Sequence, residues 1–502
     1  MKNKRVIIIG GGISGLAAGI YAKINGYDAV ILEKNHVLGG ACIGWERKGC
    51  YIDGCIHWMT GINPKSKYYD LWTEVGAISP QTEYFFQDDF YTLDFGGDNK
   101  FTVWADTDKL ERELIAFAPE DEKQIKSFCK LIKRFRRIEG PVQKPVDMMN
   151  LSELLKIAFT MLGDYYYVSK TSKISCEDYA KKFKNEYIRK WIAEHMSANY
   201  NLMSMLYMLG QVSRKNGGIP LGASRTVIDN MQAKYLSLGG EIRYNAEVAN
   251  VNVDNGVATG VTLKNGEVLN CDYTVSATPI EHTLKVLLGG KYSLKSIDDR
   301  LKDEKTYPIY TYTTAVFKCN EDLSSAPLSH KVYPSAPIIL EKAHSAVTFR
   351  NYAYDKTLKV TEGCTVVQAT ISGEDEMYYW WKSIKENGGY KAEKQKIADT
   401  LLKIFLSRYP SLEGKVEIID VITPMTYERY LNTRHGSFQG FVHTAKGKSL
   451  MQKGVIKNLR NFILAGQGIF RSGGMPPAAI TGRFAIQRIC KKDKKKFMYK
   501  PL

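Results

Sequence analysis

The 502 residues suffice for two or three folded units at roughly 150 residues each, and 44% hydrophobic with 25% charged residues is a globular composition. The 70 Lys and Arg against 53 Asp and Glu give +17, a balance that suits phospholipid or phosphorylated cofactors and equally a solvated lysine-rich surface. Zinc-finger spacing, helix-turn-helix and ribonucleoprotein signatures are all missing, which excludes a nucleic-acid reading, and no run of about 18 apolar residues predicts a spanning helix.

The first predicted element is a strand over Arg5–Ile9. The opening residues Met1–Arg5 are basic, but Val6–Ile9 is too short an apolar stretch for a signal peptide, so reduced thiols and a cytoplasmic location are expected. From Lys4 to Glu33 the pattern passes from a β-branched run to helical spacing and back, which predicts strand, helix, strand. Gly10, Gly12 and Gly15 fall on G-x-G-x-x-G. In that pattern Gly10 permits the tight turn, Gly12 lets backbone approach a pyrophosphate, and Gly15 allows close helix packing. Glu33 ends the second strand, where a carboxylate accepts hydrogen bonds from ribose hydroxyls and disfavours the 2′-phosphate of NADP. The fingerprint fits FAD and NAD alike.

Lys34–Gly61 follows, with a second glycine pair, Gly39 and Gly40, where bare backbone can wrap a longer cofactor. Cys42, Cys50 and Cys55 are separated by seven and four residues, without the Cys-x-x-Cys pairing of a zinc or iron–sulfur site, so no metal is expected. The order G-x-G-x-x-G, Glu33, Leu38-Gly39-Gly40, then Gly49-x-x-x-Asp53-Gly54-x-x-His57, resembles the phytoene desaturase, carotenoid isomerase and retinol saturase family of flavoproteins. The Gly-Gly-small-Cys run and Ile56-His57-aromatic-x-x-Gly61 look most like the retinol saturase branch. Ala41 stands where many amine oxidases of the wider superfamily carry Arg.

The resemblance implies FAD, held by Gly10, Gly12, Ile13, Ser14, Gly15, Glu33, Lys34, Gly39, Gly40, Ala41 and His57 in this first stretch. It also carries the His57 loop close to the flavin. Imidazole titrates near neutrality, which makes His57 the candidate for catalytic proton transfer; a hydrogen-bonded structural histidine is the other reading. Asp53 suits fixing the loop.

Two helices are predicted next. Glu120–Ile138 sets Ile125, Phe128, Ile132 and Phe135 opposite a mostly basic face, a pattern that suits an anionic bilayer surface. Leu151, Leu154, Leu155, Ala158, Phe159 and Leu162 repeat at helical spacing behind the capping candidate Asn150. Core packing explains either face as well.

A helix over Ser224–Leu238 leads into a β-meander from Gly239, punctuated by Asp254-Asn255-Gly256 and Lys264-Asn265-Gly266 turns. By the resemblance, Val248 faces the adenine and Ala277 approaches the cofactor. Near the end, Asn461–Ile489 repeats strand, glycine turn, helix, and the helix expected near Pro477 offers N–H groups to an anionic ligand. Gly466, Gly474 and Met475 complete the implied FAD set. The tail carries Lys491, Lys492, Lys494, Lys495 and Lys496.

These elements predict an α/β protein. The resemblance gives a Rossmann-like FAD-binding domain of the two-dinucleotide-binding-domain type, built from 1–70, 205–285 and 450–490, with an α+β substrate domain inserted as 71–204 and 286–449 and a basic tail at 491–502. The expected activity is FAD-dependent desaturation, saturation or isomerisation of an apolar polyunsaturated lipid, with peripheral membrane contact and a separate electron donor or acceptor, since no second G-x-G-x-x-G follows a strand. A flavin amine or tetrapyrrole oxidase is the alternative.

Overall fold

β1 (Arg5–Ile9), α1 (Ile13–Ile24) and β2 (Asp28–Leu32) form the unit that the glycine spacing predicts, in a computed structural model that describes residues 3–140, 142–195, 199–340, 346–470 and 473–500, less the side chains of residues 160 and 161. Val6 to Ile9 are buried, the pattern of a parallel strand covered on both faces. The five-stranded sheet runs Glu241–Arg243, β2, β1, Tyr273–Ser276, Phe462–Leu464, with every pair parallel. Strands from three distant stretches of chain therefore end side by side.

α1 lies between that sheet and the closing helix Met475–Lys492. Their approach is so close that a Cβ on Gly482 would sit 2.4 Å from the Ser14 carbonyl oxygen. A buried Arg483–Glu74 ion pair with the Tyr21 hydroxyl fastens the same junction. The basic tail is strapped along α1, because Asn25 and the Met498 backbone exchange two hydrogen bonds of 2.8 Å, while the lysines remain exposed. Residues 501 and 502 of that tail lie outside the described residues.

The predicted meander is divided. Glu241–Arg243 and Tyr273–Ser276 join the parallel sheet, and only Val248–Asp254, Val257–Leu263 and Val268–Asn270 form an antiparallel three-stranded sheet. Strands from both long insertions share a seven-stranded sheet, in which Asp89–Asp94 runs parallel to Ser329–Val332 and all other pairs are antiparallel.

Helix Glu122–Phe135 corrects one expectation. Ile125, Phe128, Ile132 and Phe135 are all buried in a core with Trp191 and Leu206, so this apolar face is not available to a bilayer. Helix Leu151–Ser172 behaves otherwise. Asn150 caps it through a reciprocal pair with Glu153 (2.9 and 2.7 Å), yet Leu151, Phe159 and Leu162 are each more than 70% exposed. No helix among the described residues is long and apolar enough to cross a membrane.

Candidate functional site

The carboxyl ends of the parallel strands open onto one cavity of about 880 Å³, the crevice where open α/β sheets take their ligands. Its floor is the first glycine turn. Gly10 adopts φ +97°, and its N–H donates to the Leu32 carbonyl at 2.8 Å, tying the turn to the end of β2. Buried Glu33 accepts from the N–H groups of Gly11 and Asn35, both at 2.8 Å, which fixes its carboxylate at the cavity rim. The Gly39 N–H donates to the Gly11 carbonyl at 3.0 Å, laying the second glycine pair on the first turn.

The residues expected to hold FAD lie on this wall with one exception. Gly10, Gly12, Ile13, Ser14, Glu33 and Lys34 line the cavity. So do Gly39, Gly40, Ala41 and His57 from the second stretch, and Val248, Ala277, Gly466, Gly474 and Met475 from the later ones. Gly15 is the exception and is corrected: a Cβ there would fall 1.9 Å from the Gly10 carbonyl oxygen, so it packs the turn from behind and does not reach the cavity. A Cβ on Gly474 would meet nothing within 4 Å, which leaves bare backbone open to a ligand. The glycine cradle and the volume both fit a dinucleotide-sized cofactor.

The late glycines are joined to the early ones by side chains: Thr481 accepts from the Gly466 N–H at 2.9 Å and sits 3.5 Å from the Ser14 hydroxyl. The closing helix begins at Met475 with Pro476 and Pro477 in its first turn. Proline carries no N–H, so this helix end offers fewer donors than expected, and the first turn of α1 is the better anion seat.

His57 differs from expectation in its chemistry. Burial, with Arg350 adding to it, pushes its pKa down to about 3, so the imidazole is neutral across the physiological range and is not a proton donor there. Its carbonyl accepts from Gln87 and Arg350, both at 2.8 Å, which holds the loop still. Asp53 anchors the same loop, taking the N–H groups of Cys55, Ile56 and Ser224 and the Ser224 hydroxyl. His195 is likewise pushed to about 3 by burial, then by Lys331.

Both depressed histidines predict acid sensitivity. Below pH 6.5 the unfolded chain binds protons that the folded protein refuses until about 3, so this stability is complete above pH 6.5 and lost as pH falls. Urea unfolding of His57→Gln and His195→Gln is expected to show a flatter decline between pH 6.5 and 4 than the parent, by on the order of 1–3 kcal/mol each.

Beyond the cradle the cavity extends into an arm that no motif announces. Tyr200, Met203, Ser204, Tyr207 and Met208 come from helix Leu202–Ser213 and its approach, with Tyr310, Tyr312 and Phe438 across from them. Val146, Ile157 and Val168 also line the cavity, the last two on the helix whose outer face is exposed and apolar. Each carboxylate on the cavity wall is already engaged: Glu33 by backbone N–H groups, Glu139 by Arg214, Glu247 by Lys264, Glu281 by Arg434 and Lys285.

Comparison with known proteins gives concordant results. The family described as flavin containing amine oxidoreductase matches residues 13–306. The chain is 25% identical over 492 residues to a lycopene-forming phytoene desaturase of Paracoccus sp., covering 94% of each. It is 22% identical to the chloroplastic prolycopene isomerase of Daucus carota, over 86% of this chain and 71% of that one. Among solved structures, an oxidoreductase from Methanosarcina mazei superposes with a TM-score of 0.60 at 13% identity, covering 96% of this chain and all of the other, a likeness of fold.

Proposed function

Because the chain belongs to the flavin containing amine oxidoreductase family, we propose that it uses FAD to desaturate, saturate or isomerise C–C and C=C bonds of an apolar polyunsaturated isoprenoid. The observation that carries this reading is the continuity of the glycine cradle with a largely aromatic arm in one cavity. Relatives that are phytoene desaturases and a prolycopene isomerase support it.

Bound in the cradle, FAD supplies a group that accepts or delivers a hydride equivalent. The chain's own residues do the rest. Glu33 is placed to accept hydrogen bonds from the adenosine ribose, and the first-turn N–H groups of α1 to meet the pyrophosphate. The His57 loop, held by Gln87, Arg350 and Asp53, forms a rigid wall, and the aromatic arm excludes water while aligning a polyene. His57 acts in this account as a neutral positioning group. The electron donor or acceptor is a separate carrier.

The amine-oxidase alternative is not favoured, since among the described residues each wall carboxylate already has a partner and none is left over to receive an ammonium group. Anaerobic mixing of the oxidised or the reduced holoprotein with a polyene panel and an amine panel separates the two. Polyenes are expected to change the flavin spectrum, with products gaining or losing two hydrogens or changing double-bond geometry; a response to amines alone overturns the proposal.

In this reading membrane contact falls to helix Leu151–Ser172, where Phe159 and Leu162 are exposed while Ile157 and Val168 line the cavity. The exposed tail lysines add attraction to anionic lipid. The double substitution Phe159→Glu, Leu162→Glu is expected to weaken sedimentation with anionic vesicles at least tenfold, at about 1.5–3 kcal/mol per apolar side chain, with an unchanged melting temperature.

A further inference from the structure

Two thiols, Cys42 and Cys55, stand in the wall of the cavity beside the glycine cradle. Their pairing follows from a hairpin. β3 (Gly44–Arg47) and β4 (Cys50–Asp53) are antiparallel, with Arg47 opposite Cys50 and Gly44 opposite Asp53. The pairing continues past the strands, because the Gly54 N–H donates to the Ile43 carbonyl at 2.8 Å. Continued one position further, that register sets Cys42 opposite Cys55, and the two thiols are within hydrogen-bonding reach of each other. Opposed side chains in such pairs have Cβ atoms about 4.5–5.5 Å apart, close to the roughly 3.5–4.5 Å of a disulfide, so a small closing movement joins them.

The surroundings treat the two as a unit. Cys55 acts on Cys42 more strongly than any other influence and, together with burial, raises its pKa, which keeps it a neutral thiol. Asp53 accepts from the Cys55 N–H at 3.0 Å and from the Ser224 hydroxyl at 2.9 Å, bracing the segment from beneath. Cys42 is buried, whereas Cys55 is half-buried. Cys50 pairs at the far end of the hairpin and does not line the cavity.

We infer that Cys42 and Cys55 form a dithiol–disulfide couple that exchanges two electrons with FAD bound in the same cavity, an inference that rests on the flavin reading above. In the oxidising direction two S–H bonds break and one S–S bond forms. Two electrons and one hydrogen pass to oxidised flavin as a hydride equivalent, and the second proton leaves to solvent. In reverse, reduced flavin is oxidised and both sulfurs regain protons. No further reactant enters. The couple gives the site a second two-electron store, suited to an enzyme whose electron carrier is a separate molecule.

The test is an anaerobic dithionite titration of the holoprotein after treatment with the thiol oxidant diamide, followed by denaturing alkylation and peptide mass spectrometry. Wild type is expected to take up four electrons per flavin, and Cys42→Ser and Cys55→Ser two. The linked Cys42–Cys55 peptide should be present before reduction and gone after it. Uptake of only two electrons by wild type with both thiols alkylated before reductant overturns the inference, as does a linked peptide that outlasts complete flavin reduction. A colourless protein after FAD reconstitution overturns the flavin reading instead. The wild-type peptide analysis stands even if either serine variant fails to fold.

Discussion

Replacing Gly12 by valine is expected to weaken FAD binding at least 100-fold while leaving the melting temperature of the FAD-free protein nearly unchanged. Gly12 has φ −75° and ψ −178°, an ordinary extended conformation for any residue. The nearest atoms to a Cβ there would be Gly39 O at 3.6 Å, Gly40 Cα at 3.7 Å and the Gly39 carbonyl carbon at 3.9 Å, normal contact distances. The protein therefore has ordinary contacts for the first carbon of the side chain, and the objection comes from a pyrophosphate that needs the gap between the two glycine loops. A hundredfold loss corresponds to about 2.7 kcal/mol. Gly15→Ala is the contrasting control. Its Cβ, 1.9 Å from the Gly10 carbonyl oxygen, displaces the turn itself, so stability falls by about 1–3 kcal/mol with or without cofactor. Equal destabilisation in both variants contradicts the division of labour between them.

Filling the arm should separate substrate binding from cofactor binding. Met203 lines the arm and is only half-buried. Met203→Trp puts an indole where a polyene is expected to lie. kcat/KM for a long polyene is expected to fall at least 100-fold, about 2.7 kcal/mol of lost binding in the transition state, with the flavin spectrum and its reduction by dithionite unchanged. A truncated isoprenoid should lose much less. If long and short substrates suffer alike, or the flavin is lost, the arm is not the polyene seat.

The cofactor half of the site was legible because its signals are local. Gly10, Gly12 and Glu33 act through backbone conformation and strand length that a short window of sequence encodes, and the strand–glycine–helix order around Gly466 and Gly474 repeats that logic. The arm was not legible. Tyr200 and Tyr207 reach the cavity from helix Leu202–Ser213 and its approach, Tyr310 and Tyr312 from the start of strand Thr311–Cys319, and no local pattern links the two pairs. Helix Glu122–Phe135 shows a different limit, since an apolar stripe has the same period whether a core or a lipid surface receives it.

Two further differences are tertiary in origin. Glu241–Arg243 reads as part of a meander, yet its partner is β2, more than 200 positions earlier, and that parallel pairing leaves no local trace. His57 was expected to titrate near neutrality because the free imidazole does; only the folded chain supplies the burial and the Arg350 charge that depress it. Cys42 and Cys55 lack metal-site spacing, and their relation emerges only from the hairpin register.

The most direct test is a crystal structure of the chain grown with FAD. The account predicts the pyrophosphate against the residues from Gly11 to Ser14, the ribose on Glu33, and the isoalloxazine between the His57 loop and the backbone at Gly466 and Gly474. Adenine lodged in the arm beside Tyr200 and Tyr207, with the late glycines clear of the ligand, would contradict it.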